Sequence, residues 1–207
     1  MISSSNPRIA IMGGTFNPVH LGHLIIADQA LRQFDLDGVL WVPAGDPPHK
    51  ALAPGASSQD RLHMVKLAIA DHQQFQYSDV EIRRPGRSYA LTTLEALSEQ
   101  HPETEWHWIL GVDALRDLPS WYGVEKVVKL CQWIIAPRVC PDQPEDVAAA
   151  VSETLPLRYQ ILNAPYIEIS STFIREQIQQ QGSIRYLVPP SVEDYIHQKN
   201  LYRDENG

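Results

Sequence analysis

The chain has 207 residues, of which 43% are hydrophobic and 20% are charged, and its formal net charge is −8. This length predicts a single domain over residues 1–207, and the composition is typical of a globular enzyme. The negative charge argues against a nucleic-acid-binding surface, which needs a basic stripe, and no apolar run approaches the roughly 18 to 20 residues of a membrane span.

The first residues and the cysteines bear on the cellular location of the protein and on whether it has disulfides or a zinc site. Residues 1–7 lack the basic start and the apolar core of a signal peptide, so we expect a cytoplasmic protein. Only Cys131 and Cys140 are present, with no histidine pattern nearby, so neither a disulfide framework nor a zinc site is expected. Both thiols are predicted to be buried or idle.

Apolar runs alternate with segments of helical periodicity, which predicts an α/β fold: a Rossmann-like parallel sheet with helices on both faces. The predicted strands are 8–12, 39–42, 77–82, 106–110, 133–136, 159–162 and 167–169. Helices are predicted along the apolar stripes Leu24, Ala27, Leu31, Phe34 and Leu62, Val65, Ile69, and over 89–99, 122–130 and 148–155.

Two more helices form a short C-terminal portion, over about 170–207. The first is predicted to begin at Ser171 or Thr172 and to end before Gly182. The second covers 191–198 and begins with the capping-box pattern Ser191-x-x-Asp194.

The first predicted strand runs directly into the sequence Gly-Gly-Thr-Phe-Asn-Pro-Val-His-Leu-Gly-His, residues 13–23. Gly13 and Gly14 allow a sharp turn and a close approach to an anion. His20 and His23 then share one face of the first helical turn, where free N–H groups and the helix dipole favour negative charge. A double glycine or a histidine pair alone is more often structural, but their combination predicts a phosphate site. The P-loop and Gly-x-Gly-x-x-Gly patterns are absent.

Further candidates follow the other strands, whose carboxyl ends are where such sheets bind ligands. Lys50 lies on a proline-rich loop after the second strand, and Asp113 follows Gly111 after the fourth. Ser171, Thr172 and Arg175 lie at a helix start after the last strand and predict a second anion site. The structural alternative for Lys50 is a solvated lysine. The alternative for the second site is plain helix capping, with Arg175 exposed to solvent.

Trp121 follows a proline turn, where its indole could stack on a flat heteroaromatic ring or pack on the rim of the core. No carboxylate cluster is evident that would hold a metal, so Mg²⁺ is expected to arrive mainly on nucleotide phosphates. The expected partners are therefore small anionic molecules, and a homo-oligomer is left open.

Together these motifs resemble the nucleotidyltransferase superfamily that is marked by a His-x-Gly-His loop, and more narrowly the bacterial nicotinate-nucleotide adenylyltransferases. The segments that carry the resemblance are 13–23, 47–50, 88–89, 93–94, 111–113, 118–122, 169–175, 186–190 and 201–202. The resemblance implies transfer of the adenylyl group of ATP to nicotinic acid mononucleotide (NaMN), which yields deamido-NAD and pyrophosphate.

The resemblance also implies roles for individual residues. The catalytic groups would be His20, His23 and Arg175. ATP would be bound by Gly13, Gly14, Thr15, Phe16, His20, His23, Gly111, Asp113, Ser171, Thr172 and Arg175. NaMN would be bound by Lys50, Tyr89, Leu91, Thr93, Trp121 and Tyr122. Ala90 stands where the family usually has threonine, so the nicotinate carboxylate would be read by backbone N–H groups near Leu91 and Tyr122.

Two other interpretations keep the same motifs. A sister enzyme, such as pantetheine-phosphate adenylyltransferase or a cytidylyltransferase, would share the histidine and Arg175 loops but has no evident use for Trp121. A regulatory protein that binds nucleotides without turnover would not need both charge-stabilising loops.

Overall fold

The computed structural model describes residues 6–47, 55–138 and 143–203. They form a six-stranded sheet in the order β3-β2-β1-β4-β5-β6, and every pair of neighbouring strands is parallel. The strands are β1 Arg8–Gly14, β2 Gly38–Pro43, β3 Phe75–Tyr77, β4 Glu105–Gly111, β5 Gln132–Ala136 and β6 Tyr159–Ile161. This is the doubly wound strand order. Strands β2 and β3 are added on one side of β1 and strands β4 to β6 on the other, so the strand order reverses between β1 and β4.

The helices of the described residues connect and cover these strands. They are α1 Leu21–Gln33, α2 Ser58–Ala68, α3 Val80–Arg83, α4 Ala90–Gln100, α5 Val112–Asp117, α6 Val124–Leu130, α7 Pro144–Ser152, α8 Ser171–Gln179 and α9 Pro190–Gln198, with a 3₁₀ turn at Leu118–Ser120.

The sheet has a hydrophobic core on each face, which confirms the predicted architecture. Ala10 and Met12 of β1 belong to one core and Ile11 to the other, because alternate side chains of a strand point to opposite faces. Helices α1, α2, α8 and α9 contribute to the first core, and α4 to α7 contribute to the second. The C-terminal helices therefore share a core with α1.

Two predicted strands are wrong. The segment 77–82 ends its strand at Tyr77 and continues into α3, because the Ser78 hydroxyl accepts a hydrogen bond from the Val80 N–H and turns the chain. Segment 167–169 is not a strand; Ile167 and Ile169 line a cleft instead.

Helix boundaries also differ from the predictions. Ser170, rather than Ser171 or Thr172, caps α8, because its hydroxyl accepts from the Phe173 N–H at 3.1 Å. At the other end of α8 the left-handed residue is Gln181, with φ of 57°. The predicted capping box of α9 does not form, because Pro189 is the N-cap and the Ser191 hydroxyl donates to the Leu67 carbonyl.

Helices α5 and α7 also differ from the predictions, and α6 begins at Val124 instead of residue 122. Helix α7 spans Pro144–Ser152 instead of 148–155, and proline is favoured at the first helical position. Helix α5 directly follows β4 and was not predicted.

Candidate active site

A cleft of about 460 Å³ opens at the carboxyl ends of β1, β4 and β5, where the strand order reverses. Eight residues predicted from the sequence line it: Gly13, Thr15, His20, His23, Gly111, Ser171, Thr172 and Arg175. The N-terminal ends of α1 and α8 both contribute to the lining, so two helix dipoles favour negative charge there.

Gly13 and Gly14 do not form the predicted sharp turn, because they end strand β1, and close packing favours glycine at both positions. A Cβ on Gly13 would lie 2.9 Å from Cζ2 of Trp108, and a Cβ on Gly14 would lie 3.2 Å from the ring of Phe16. The Phe16 ring is buried and meets the His23 ring edge-on at 5.1 Å. In this structure Phe16 therefore supports the histidine from behind, while Gly13 lines the cleft.

The two histidines stack on each other, with ring centroids 3.6 Å apart. His20 is the N-cap of α1, and its backbone N–H donates to Nδ1 of His23 at 3.3 Å. An imidazole nitrogen that accepts a hydrogen bond carries no proton, so neutral His23 keeps its proton on Nε2. The side chain of His20 is 7% exposed, and its buried Nδ1 has no partner among the described residues.

Both histidines are neutral at neutral pH. Burial lowers the pKa of His20 to about 4, and the positive charge of Arg138 adds to this shift. Burial and the proximity of His20 also hold the pKa of His23 well below its usual range. The histidines can therefore act on an anion as hydrogen-bond donors, while fixed positive charge comes from Arg138 and Arg175.

The second anion site is joined to the first loop. The Arg175 guanidinium donates through Nη1 to the Asn17 carbonyl at 2.8 Å and through Nη2 to Oγ1 of Thr172 at 3.2 Å. The Ser171 hydroxyl donates to the Pro18 carbonyl at 2.8 Å. The chain segment before α1 is thus held by α8, and the remaining N–H donors of Arg175 are left for an anion in the cleft.

Asp113 does not line the cleft; it forms ion pairs with two arginines. Its Oδ2 lies 2.6 Å from Nη1 of Arg138, and its Oδ1 lies 3.5 Å from Nη1 of Arg116. Arg138 lines the cleft and was not among the predicted site residues. It follows the carboxyl end of β5 by two residues, so the rule that selected Asp113 could also have selected Arg138.

The residues predicted for NaMN that the structure describes, Tyr89, Leu91, Thr93, Trp121 and Tyr122, lie outside the set that lines the cleft. The rings of Tyr89 and Tyr122 are tilted by 37° to each other with centroids 4.8 Å apart, and Tyr122 is 59% exposed. Trp121 packs against the second core and lies 6.2 Å from Trp133, centroid to centroid. Trp121 and Tyr122 are therefore adjacent in the chain but differ in exposure.

Two residues of this predicted group are buried. Thr93 is fully buried, and its hydroxyl donates to Oε1 of Glu81 at 2.7 Å, so its side chain belongs to an internal network instead of a substrate surface. Leu91 is also buried, and its side chain packs so closely on Gly123 that it leaves no room for a Cβ there. The backbone N–H of Leu91 lies in the first turn of α4, where N–H groups lack intrahelical partners.

Predicted residues Lys50 and Cys140 lie outside the described residues. Cys131 is buried, and burial raises the pKa of its thiol. Across 6–47, 55–138 and 143–203, no three His, Cys, Asp or Glu side chains gather as metal ligands. In the same ranges no helix is long and apolar enough to cross a membrane.

Known proteins share this sequence and fold. A family model described as cytidylyltransferase-like matches residues 11–177. A probable nicotinate-nucleotide adenylyltransferase of Synechococcus sp. is 64% identical over 94% of this chain and 96% of its own length. The one from Gloeobacter violaceus is 46% identical, again over 94% and 96%.

The fold is also found among solved structures. The nicotinic acid mononucleotide adenylyltransferase of Plasmodium falciparum, complexed with NaAD, matches with a TM-score of 0.79 at 24% identity and covers 95% of this chain and 97% of that one. The sequence relatives and the family model agree with the cleft built from the His-x-Gly-His loop and Arg175. The chain therefore belongs to the cytidylyltransferase-like family and, within it, to the nicotinate-nucleotide adenylyltransferases.

Proposed function

We propose that this protein transfers the adenylyl group of ATP to NaMN, forming deamido-NAD and pyrophosphate in NAD biosynthesis. The observation that carries the proposal is the pair of helix N-termini, α1 with two histidines and α8 with Arg175, that face one cleft. A chain of several phosphates needs donors at both sides, and a single phosphate would need only one.

In the proposed reaction an oxygen of the NaMN phosphate attacks the α-phosphorus of ATP. A new P–O bond forms, the bond from the α-phosphorus to the oxygen bridging to the β-phosphorus breaks, and that oxygen leaves with pyrophosphate. No covalent enzyme intermediate is required, because the nucleophile is already an anion. The protein aligns the two phosphates and neutralises the charge that develops.

The groups divide the work by position. Nε2–H of His23 and the ring of His20 would donate to the phosphate that reacts, while Arg175, Ser171 and Thr172 would hold the pyrophosphate that leaves. Gly111 and Asp113 would hold the adenosine side. Asp113 can exchange its arginines for a ribose at little cost, because Asp113 and Arg138 are each about half exposed.

The NaMN side is proposed to lie at Tyr89, Trp121 and Tyr122. Trp121 would stack on the pyridine ring, and the first backbone N–H groups of α4, including that of Leu91, would bind the nicotinate carboxylate together with the N–H of Tyr122. Lys50 would reach the phosphates from the loop after β2. Ala90 adds no hydroxyl here, so the backbone would carry the choice of acid over amide.

A divalent cation is compatible with such a transfer, and we propose Mg²⁺ bound mainly to the ATP phosphates. The cleft fits this arrangement, because the described residues that line it supply hydrogen-bond donors and cations and include no carboxylate that would compete for the metal. Bound there, Mg²⁺ would neutralise part of the phosphate charge. Three further statements stay predictions: that the protein is cytoplasmic, that its partners are small molecules only, and that it can form a homo-oligomer.

Pyrophosphate release decides between the candidate functions. With Mg²⁺ and ATP, we expect release when NaMN is added, and much less with nicotinamide mononucleotide. No release with NaMN would overturn the proposal, and release with phosphopantetheine, or with CTP in place of ATP, would identify a sister activity. Nucleotide binding without any turnover would identify a regulator.

His23→Ala tests the catalytic assignment. We expect turnover to fall more than tenfold, because a donor to the transition state is lost, while circular dichroism and the melting temperature stay close to wild type. Unchanged turnover would remove His23 from the mechanism.

A further inference from the structure

Arg61 of α2 is fully buried, which is rare for a charged side chain. Its guanidinium donates through Nη1 to the carbonyl of Thr15 at 2.7 Å and through Nη2 to the carbonyl of Gly45 at 3.3 Å. Thr15 belongs to the loop after β1 and lines the cleft, whereas Gly45 belongs to the loop after β2. One buried group therefore bonds to both loops.

Arg61 stays charged in spite of its burial. Burial lowers its pKa, and the nearby carboxyl group of Glu81 offsets part of that shift. An arginine remains protonated under these conditions, because its pKa starts above about 12. A buried charge is costly, so an apolar residue here would give a simpler core, and the cost points to a role in specificity or positioning.

The loop after β2 is tied in turn to the segment before α4. Oγ of Ser88 accepts from the N–H of Gly45 at 2.9 Å and from that of Asp46 at 3.2 Å, and the Ser88 N–H donates to the Asp46 carbonyl at 2.8 Å. Gly45 is packed so tightly that a Cβ there would lie 2.5 Å from the carbonyl oxygen of Glu81. A shift of Gly45 must therefore move its neighbours.

Ser88 immediately precedes Tyr89, the N-cap of α4. The path from the nucleotide cleft thus runs from Thr15 through Arg61 and Gly45 to Ser88 and the start of α4. Every step is a hydrogen bond between named atoms except the last, which is the peptide chain itself.

We infer that Arg61 is a positioning residue that couples the nucleotide loop after β1 to the proposed NaMN-binding segment at the start of α4. The inference rests on the proposed function for the identity of the second substrate. Its physical content is that ordering Thr15 around nucleotide phosphates fixes Arg61, and that Arg61 fixes Gly45 and, through Ser88, the donors of α4. Arg61 itself touches neither substrate.

Hydrogen exchange of the wild-type protein tests the coupling without any substitution. Binding of α,β-methylene ATP, which cannot be cleaved at the reacting bond, should slow exchange of the Gly45, Asp46 and Ser88 amides by at least about fivefold, the lower range of common couplings. Amides of β6, which lie away from the path, serve as the internal control. Unchanged exchange at Gly45 and Asp46 in the nucleotide complex would overturn the inference.

Arg61→Lys removes the bridge while keeping the charge. A lysine ammonium is a single centre that cannot reproduce the two bonds of a planar guanidinium, so the protection of Gly45 should be lost. We expect KM for ATP and KM for NaMN to rise together by about tenfold. This fold-change corresponds to the free energy of about one hydrogen bond to a charged group, lost at each loop.

Val65→Ala is the matched control, because Val65 is a fully buried residue of the same helix that packs in the core. It should lower the melting temperature but leave both KM values and the transmitted protection unchanged. Equal KM rises in both variants would reduce Arg61 to a structural residue. If Arg61→Lys does not fold, the wild-type exchange experiment still decides.

The two proposals fail in different ways. A wild-type protein that releases no pyrophosphate contradicts the proposed function. A wild-type protein that turns over, yet shows no protection beyond the cleft when the analogue binds, contradicts the coupling alone.

Discussion

Substitution of Gly22 by alanine should affect the rate of the proposed reaction much more than the stability of the protein. It is the second residue of α1, and a Cβ added there would lie 3.0 Å from Nδ1 and 3.2 Å from Cε1 of His20, and 3.3 Å from Cγ2 of Ile167. These contacts are tighter than ordinary packing, so the His20 ring must move by a few tenths of an ångström. Gly22→Ala is therefore a small displacement of one histidine.

The expected magnitudes differ for folding and for turnover. Alanine favours the helix over glycine by up to about 1 kcal/mol, and crowding against His20 and Ile167 offsets part of this gain. The melting temperature should therefore shift by no more than about 4 °C. A displacement of about 1 Å can cost about 100-fold in rate, so a shift of a few tenths of an ångström predicts a loss of about tenfold in kcat.

The assay is pyrophosphate release at saturating ATP and NaMN, combined with a double-mutant cycle. In a His20→Ala background the added methyl group has no ring to displace, so the further effect of Gly22→Ala on kcat should vanish. The same tenfold loss in both backgrounds, or a stable Gly22→Ala protein with unchanged kcat, would refute the reasoning.

Two further predictions concern charge near the histidines. Because the pKa of folded His20 is about 4 and that of an unfolded histidine is about 6.5, the unfolded state binds more protons below pH 6.5, and stability must fall as the pH drops from there toward 4. At pH 5 His20 alone should remove about 2 kcal/mol from the free energy of unfolding measured with denaturant; an equal loss in His20→Asn would contradict this assignment. Arg138→Gln removes a positive neighbour, so the pKa of His20 should rise in an NMR titration and KM for ATP should increase several-fold. The free energy of unfolding should change by less than about 1 kcal/mol, because the Arg138–Asp113 pair is about half exposed. If the pKa of His20 is the same in Arg138→Gln as in the wild type, Arg138 does not act on His20.

Much of the fold and of the nucleotide side of the site could be predicted from local sequence. Alternation of apolar runs with helical stripes defines a parallel sheet, and parallel sheets bind ligands at the carboxyl ends of their strands. Gly13, His20 and His23 belong to one short segment whose spacing alone predicts two imidazoles at the N-terminal end of α1. Arg175 was found in the same way, from a helix start that follows a predicted strand.

Local sequence patterns gave wrong predictions where a short segment is compatible with more than one structure. The segment 77–82 was predicted as a strand, but the Ser78 hydroxyl accepts from the Val80 N–H where the chain turns into α3. Thr93 lies in a motif that resembles a substrate contact, but in the folded chain it faces Glu81 and is fully buried. Only the folded chain shows that Thr93 of α4 meets Glu81 of α3, because this contact joins two separate helices.

The sequence by itself determined the class of fold, the family and the start of α1, where His20 and His23 lie, because these follow from patterns and motifs along the chain that do not depend on how distant segments pack. The tertiary structure decided how the site is held and charged. Arg61 meets Thr15 across 46 residues, and Tyr202 meets Asn17 across 185. Burial, the stacking of the two imidazoles and the placement of Arg138 set the protonation of the histidines, and each arises only when distant segments pack together.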